Sequence, residues 1–237
     1  METRRSPDPP PPPVLAPALA TWLRYAAPLT ALSAVALAPV IALALRAQVP
    51  VDAASSNAMV ARGWAMIALA WLGQLVLIGG ATAVTTARPS QLAAFTRGLV
   101  RELRAIVPCL AAIAAIAVGC LAGIVPGVVL IALLVLTGAS EQRGLPAPLV
   151  DSIGFARRHL AVVALAAGAM LALDLAIGVV AQLAFARPLA RPPAPGQLVA
   201  VRQFVRVIAI ALVVASPLPA TVLAAIRTRR ALGRQAA

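Results

Sequence analysis

One acidic residue, Asp174, lies well inside a long uncharged segment, in the sequence AMLALDLAIG. A carboxylate in hydrocarbon costs about 2.5–3.5 kcal/mol, so such a residue usually carries a proton, pairs with a cation or binds a polar neighbour. Gln74, Thr82 and Gln182 are polar residues of other apolar stretches or of the same one. We therefore expect an intramembrane polar site at Asp174, Gln74 and Gln182, in which the carboxyl is either functional or held by a structural hydrogen bond.

The remaining reactive residues form no catalytic or metal-binding pattern. His159 is the single histidine, and its neighbours are Arg157 and Arg158 rather than possible metal ligands. Cys109 and Cys120 would lie about 16 Å apart on one continuous helix, beyond disulfide reach. No phosphate-binding loop, nucleophile elbow or metallopeptidase helix occurs in the sequence. The sequence predicts a protein without catalytic residues, metal or cofactor, which is not an enzyme.

The composition is typical of a membrane protein. Hydrophobic residues make up 62% of the 237 residues and charged residues 11%, against about 25% charged residues in soluble domains. The net charge of +13 comes from arginines that flank apolar segments, with few aromatic residues between them. This distribution favours membrane orientation over nucleic-acid binding, so we expect no nucleic-acid partner. The excess of Arg, Ala and Pro is typical of a GC-rich bacterial genome.

Six membrane-spanning helices are predicted to position these residues. The uncharged stretch 106–136 would extend about 46 Å as one helix, against a hydrocarbon core about 30 Å thick. Gly123, Pro126 and Gly127 near its middle predict a helix break that divides it into two short helices, with a kinked or re-entrant element as the alternative. The other predicted spans cover approximately 26–45, 63–86, 160–185 and 204–226.

Two basic segments, 88–105 and 149–160, are predicted to be amphipathic helices on the membrane surface. The apolar face of the first consists of Leu92, Phe95, Leu99, Leu103 and Ile106. The basic residues of the two helices are Arg97, Arg101, Arg104, Arg157 and Arg158. We expect these arginines to face anionic lipid headgroups or a membrane or cytoplasmic protein partner.

The predicted domain is all-α, a polytopic transmembrane helical bundle of six spans and two interfacial helices over residues 21–230. A disordered proline-rich tail (1–20) precedes it, and a basic flexible tail (231–237) follows it. With both termini in the cytoplasm, the inside segments contain fourteen arginines and the outside loops six. This asymmetry follows the positive-inside rule and predicts a multi-pass protein of the bacterial inner membrane.

Several short motifs between residues 64 and 230 resemble a bacterial multi-pass family related to the membrane domain of glycerophosphoryl diester phosphodiesterases. They are RPSQLAAFTRGL at 88–99, IVPGVVL at 124–130, Glu141, DSIGFARRH at 151–159, SPLP at 216–219 and IRTRR at 226–230. The resemblance implies a six-helix membrane bundle. It does not imply phosphodiesterase activity, because in that family the catalytic module is a separate soluble domain.

Two functions are compatible with these features. The first is a non-enzymatic scaffold or accessory subunit whose basic helices bind anionic lipid or a protein partner. The second is a small transporter or lipid-handling protein that uses Asp174 and the broken 106–136 element. Substitution of Asp174 by Asn separates them, since only the second function requires the carboxyl.

Overall fold

The computed structural model describes residues 15–45, 53–87, 90–142, 144–189 and 195–235, and these residues form helices joined by turns, without a strand. This confirms the all-α class. The helices are α1 (Leu15–Arg24), α2 (Ala26–Ala36), α3 (Ala38–Leu45), α4 (Ala53–Ala87), α5 (Gln91–Ala122), α6 (Ile124–Leu134), α7 (Ala147–Arg158), α8 (Leu160–Leu189), α9 (Pro195–Ala215) and α10 (Pro217–Gln235), with a 3₁₀ turn at Thr137–Ala139 after α6.

Four segments of the described residues are helical, long and apolar enough to cross a membrane. They are Gly63–Thr86, Gln91–Ala122, Leu160–Ile177 and Arg206–Thr228. Helices α2 and α3 add a fifth if the pair, bent by 59°, is counted as one span. The predicted count of six depends on α6, whose 11 residues fall short of the roughly 20 that a straight crossing needs. The fold is therefore that of a membrane protein, while six spans stay a prediction.

The helix break expected in the 106–136 stretch is present at Gly123. Helix α5 ends at Ala122, Gly123 has a φ of +144°, which favours glycine, and α6 begins at the next residue. A methyl group on Gly127 would lie 2.5 Å from Sγ of Cys120, so the two helices approach closely at this turn. Pro126 lies in the first turn of α6, where its missing N–H removes no helical hydrogen bond.

Residues 88–105 were predicted to form a separate surface helix. From Gln91 onwards they instead belong to α5, the first helix of the α5–α6 hairpin, which continues to Ala122. Of their predicted apolar face, Leu92, Leu103 and Ile106 are 76%, 59% and 36% exposed, whereas Phe95 and Leu99 pack partly buried against the core. The buried face consists of Ala94, Gly98, Glu102, Ala105, Cys109, Ala112, Ile116 and Gly119. Lipid tails are as apolar as leucine, so in a membrane protein small residues face the neighbouring helices and large apolar residues face outward.

Helix α4 lies at the centre of the bundle and packs against α2, α5 and α10. Its residues 73–82 are all buried. After α6 the chain runs back against this part of α4, and every residue from Leu134 to Ser140 is buried. A methyl group on Gly79 would lie 2.5 Å from the carbonyl oxygen of Gly138, so the two backbones approach closely. This contact brings the loop after α6 beside α4 and α5.

Parts of both predicted tails are helical. Residues 15–20 belong to α1, which packs against α10, and Ala18 is only 1% exposed. Residues 231–235 belong to α10. Residues 1–14 and 236–237, the rest of the predicted tails, lie outside the described residues. The predicted surface helix at 149–160 corresponds to α7, a separate helix that ends before His159.

Candidate functional site

Three polar side chains from different helices meet in the middle of the bundle. Nε2 of Gln74 donates a hydrogen bond to Oδ1 of Asp174 at 2.8 Å, and it lies 3.4 Å from Oγ of Ser216. Gln74 and Ser216 are each 2% exposed. Oε1 of Gln74 has no hydrogen-bond partner among the described residues. The structure thus brings together two of the three residues expected at the intramembrane site and adds Ser216.

Two residues of this trio, Gln74 and Ser216, lie near the centres of apolar segments. Gln74 is eleven residues from one end of the apolar segment Gly63–Thr86 and twelve from the other. Ser216 is central in the segment Arg206–Thr228, whereas Asp174 is central in α8 as a whole but lies three residues from the end of the apolar segment Leu160–Ile177. Polar groups at the middle of apolar helices are furthest from water in a bilayer, so their mutual hydrogen bonds replace those that water would supply.

Two helix breaks lie beside the part of α4 that carries Gln74. Helices α2 and α3 meet at Leu37, where a methyl group on Gly73 would lie 2.7 Å from Cδ2. Helices α9 and α10 meet at Ser216 itself. Pro39 and Pro217 follow these breaks, and each lacks the N–H that would bond the carbonyl four residues earlier. The polar trio therefore lies where two apolar helices are interrupted.

The other partners considered for Asp174 do not take part among the described side chains. The hydroxyl of Thr82 donates to the carbonyl of Ile78 on its own helix at 2.7 Å. Gln182 belongs to α8, but its side chain lies outside the described residues. Ser216 is the residue of the trio that the sequence analysis did not identify. The signal that could have identified it is a polar residue before a proline in an otherwise apolar segment.

Glu102 is a further buried acidic residue, which lies between Arg101 and Arg104 in the candidate span Gln91–Ala122 and outside the spans predicted from the sequence. It is 2% exposed, and neither carboxyl oxygen has a hydrogen-bond partner in the part of the chain that the structure describes. It packs against Gly80, where a methyl group would lie 2.7 Å from Oε1. The sequence signal was its position on the small-residue face, four residues after Gly98 and three before Ala105.

The predicted basic residues divide into exposed and bound side chains. Arg97 and Arg104 of α5 and Arg157 and Arg158 of α7 are exposed. Arg101 instead uses Nη2 to donate to the backbone carbonyls of the loop after α6, at 3.2 Å to residue 139 and 2.7 Å to residue 140. Arg101 therefore holds this loop against α5. From the sequence we expected Arg101 to face lipid headgroups or a partner, and this contact was not predicted.

Asp151 of α7 belongs to a polar cluster that joins α7, α10 and the loop. Its Oδ2 accepts a hydrogen bond from Oγ of Ser140 at 2.6 Å and pairs with Nη2 of Arg227. Burial alone would raise the pKa of the Asp151 carboxyl, but these two partners together hold it below its ordinary value. The guanidinium of Arg227 also lies 5.7 Å from the centre of the Phe155 ring. Both partners of Oδ2 are therefore in place, although Nη1 of Arg227 is buried without a hydrogen-bond partner among the described residues.

No group of three or more His, Cys, Asp and Glu side chains that could hold a metal ion occurs in the described part of the chain. The ring of His159 contacts the edge of Phe155, with centres 4.8 Å apart. Cys109 is buried and Cys120 is exposed. The chemistry that these residues offer is hydrogen bonding and proton binding at the trio and at Glu102.

Comparison of the chain with known protein families, with curated proteins and with solved structures finds no match. The resemblance to the membrane domain of glycerophosphoryl diester phosphodiesterases therefore stays a prediction.

Proposed function

We propose that the chain is a multi-pass protein of the bacterial inner membrane that moves a proton or a small polar solute through Asp174. The observation that carries this proposal is the hydrogen-bonded trio of Gln74, Asp174 and Ser216. Both termini lie in the cytoplasm in this proposal, in accordance with the arginine distribution. The protein is a transporter or lipid-handling protein rather than an enzyme.

The position of the trio supports a binding role. In a bilayer, the centres of the apolar segments Gly63–Thr86 and Arg206–Thr228, where Gln74 and Ser216 lie, would be close to the midplane, and Asp174 bonds Gln74 there. Many transporters bind their solutes at this depth, between helices that are interrupted by Gly or Pro. In this chain the interruptions next to the trio are at Leu37 and Ser216. The break at Gly123, which suggested transport in the sequence, forms the tip of the α5–α6 hairpin instead.

Gln74 supplies a polar atom that the protein leaves unused. Its Nε2 is occupied by Asp174, whereas Oε1 is buried and has no partner within the described residues. A buried acceptor without a donor is costly, so its presence favours a site that is filled by a proton-bearing group. A protonated carboxyl, an ammonium group or a hydroxyl would each satisfy it.

The test replaces Asp174 by Asn, which still accepts the hydrogen bond from Gln74 but does not titrate. Membrane vesicles carrying either protein are energised, and a panel of sodium, amines, amino acids and polyols is added while an internal dye reports pH. We expect one class of solute to dissipate the proton gradient in wild-type vesicles, with loss of the response in Asp174→Asn at equal protein content. An unchanged response in Asp174→Asn contradicts a role of the carboxyl in transport.

A scaffold or accessory subunit is the second candidate, and the exposed arginines of α5 and α7 favour it. In this case the hydrogen bonds of the trio are structural and hold α4, α8 and the α9–α10 junction together. The protein would be purified in mild detergent and its bound proteins identified by mass spectrometry. A stoichiometric partner that is lost on neutralising Arg97 and Arg104, but not on Asp174→Asn, would support this candidate over transport.

A further inference from the structure

A cleft of about 390 Å³ lies between α5 and the loop that follows α6. Its lining includes basic and polar side chains, among them Arg101, Arg104 and Thr137. It also includes the apolar side chains of Val107 and Pro108, about one turn further along α5. A ligand that fits this lining carries an anionic group next to an apolar one.

Thr137 gives the cleft a buried hydrogen-bonding group. Its side chain is 1% exposed, and its hydroxyl has no hydrogen-bond partner in the ranges that the structure describes. Threonine hydroxyls in helices usually bond the carbonyl three or four residues earlier, as Thr82 does here. An unpaired, buried hydroxyl on a residue that lines a cleft points to an acceptor supplied by a ligand.

The charges of the cleft favour an anion. Arg104 makes no hydrogen bond or ion pair with any described residue, and Nη1 of Arg101 is also without a partner there. Glu141 lines the same cleft and offsets one of the two positive charges, so the described residues of the lining have one excess positive charge. This excess suits a phosphodiester, which carries one negative charge.

The depth of the cleft matches that of lipid headgroups. No charged residue occurs between Arg104 and Glu141, and both of these residues line the cleft. It therefore lies where the uncharged hairpin begins and ends, the place at which a bilayer changes from headgroups to hydrocarbon.

We propose that this cleft binds the phosphodiester of an anionic phospholipid. Arg101 and Arg104 pair with the phosphate, and the hydroxyl of Thr137 donates a hydrogen bond to it. Val107 and Pro108 contact the apolar part of the same lipid. The site is independent of the proposed role of Asp174, and it selects Arg101 and Arg104 from the five arginines that the sequence suggested for headgroup contact.

The full-length protein, purified in detergent, is incubated with phosphatidylglycerol, phosphatidylcholine or inorganic phosphate, and bound molecules are counted by native mass spectrometry. The variants are Arg104→Gln, Thr137→Val and Thr137→Ser, and the latter keeps the hydroxyl. Arg97→Gln is the matched control, because Arg97 is an exposed arginine of the same helix that does not line the cleft.

We expect wild-type protein to retain phosphatidylglycerol in preference to phosphatidylcholine. Arg104→Gln and Thr137→Val should each weaken this retention by about tenfold, whereas Thr137→Ser and Arg97→Gln retain it. An equal loss in Arg97→Gln, or equal retention of phosphatidylcholine, overturns the proposal. Displacement of the lipid by inorganic phosphate at equal concentration also overturns it, since the ligand would then be a free anion. Arg104 is exposed, so Arg104→Gln decides the outcome even if Thr137→Val does not fold.

Discussion

Asp151 and Glu102 are acidic side chains on either side of the loop after α6, yet their surroundings are opposite: Ser140 of this loop contacts Asp151 and Arg101, the sequence neighbour of Glu102. Asp151 accepts a hydrogen bond from Ser140 and pairs with Arg227. Glu102 is more deeply buried, and neither of its oxygens has a partner among the described residues. The hydrogen bond and the ion pair of Asp151 replace the water that it loses on burial, whereas no described residue does this for Glu102.

The contacts of Asp151 explain its presence by its contribution to stability, whereas the surroundings of Glu102 offer no such explanation. A buried charge is tolerated when a counter-charge and hydrogen bonds replace its hydration, as at Asp151. Without such partners, binding of a proton or a cation lowers the free energy of the buried carboxylate. We therefore expect Asp151 to stabilise the fold in its ionised form and Glu102 to be uncharged and to contribute little.

The largest expected effect follows from breaking the ion pair with Asp151→Asn. The side chains of Asp151 and Arg227 are 25% and 13% exposed, so the loss should lie below that of a fully buried pair, at about 2 kcal/mol of unfolding free energy. The measurement is an SDS titration of the purified protein in mixed micelles.

A double-mutant cycle checks that the pair itself causes this loss. In the Asp151→Asn background, Arg227→Gln should lower the free energy of unfolding by much less than it does in the wild-type protein. Equal costs in both backgrounds would show that the two side chains stabilise the fold independently.

Gly80→Ala tests how closely Glu102 is held. The new methyl group would lie 2.7 Å from Oε1 of Glu102, so the carboxyl must move, at an expected cost of about 1–2 kcal/mol. Gly168→Ala is the control, because nothing lies within 4 Å of a methyl group on that helical glycine. The control should be neutral or stabilising by up to about 1 kcal/mol. A cost at Gly80 that persists when Glu102 is replaced by Ala would exclude the carboxyl as its cause.

The Asp151 pair should also make stability depend on pH. The pKa of Asp151 is held below its ordinary value in the folded protein, so the stabilisation is fully present above about pH 4, the ordinary range of an Asp carboxyl. It is lost as the pH falls through the lower, folded-state pKa. The difference in melting temperature between wild type and Asp151→Asn should thus be constant near neutrality and shrink in acid. A difference that does not change down to pH 3 would contradict an ionised pair.

The sequence predicted the elements of this fold better than the faces that they bury. Long uncharged stretches located the segment 63–86 and the hairpin, because the apolar length of a helix is a local property. The conformational freedom of Gly123 likewise marked its break. Which face of α5 packs against the protein was not predicted, since helical periodicity alone does not distinguish residues that face lipid from residues that face other helices. In lipid the small residues Ala94, Gly98 and Ala105 face the neighbouring helices.

The candidate sites could be predicted only where polarity stood out within an apolar background. Asp174 and Gln74 were recognisable because each interrupts such a stretch. Ser140, Asp151 and Arg227 come from different parts of the chain, and their contact exists only after α7 and α10 pack. No periodicity of a single helix indicates it.

The smallest expected effect is that of Glu102→Gln, and it tests the comparison most directly. Glutamine has nearly the shape of a protonated glutamic acid, so an uncharged Glu102 predicts a change below about 0.5 kcal/mol in the same SDS titration. Asp151→Asn is the identical chemical change, from acid to amide, at a residue with a counter-charge, and there we expect the large loss. If Glu102→Gln costs as much as Asp151→Asn, Glu102 is ionised and holds a cation, and the contrast between the two carboxyls is wrong. If only Asp151→Asn is costly, the unpaired carboxyl of Glu102 serves something other than stability, and proton binding within the bundle becomes its simplest role.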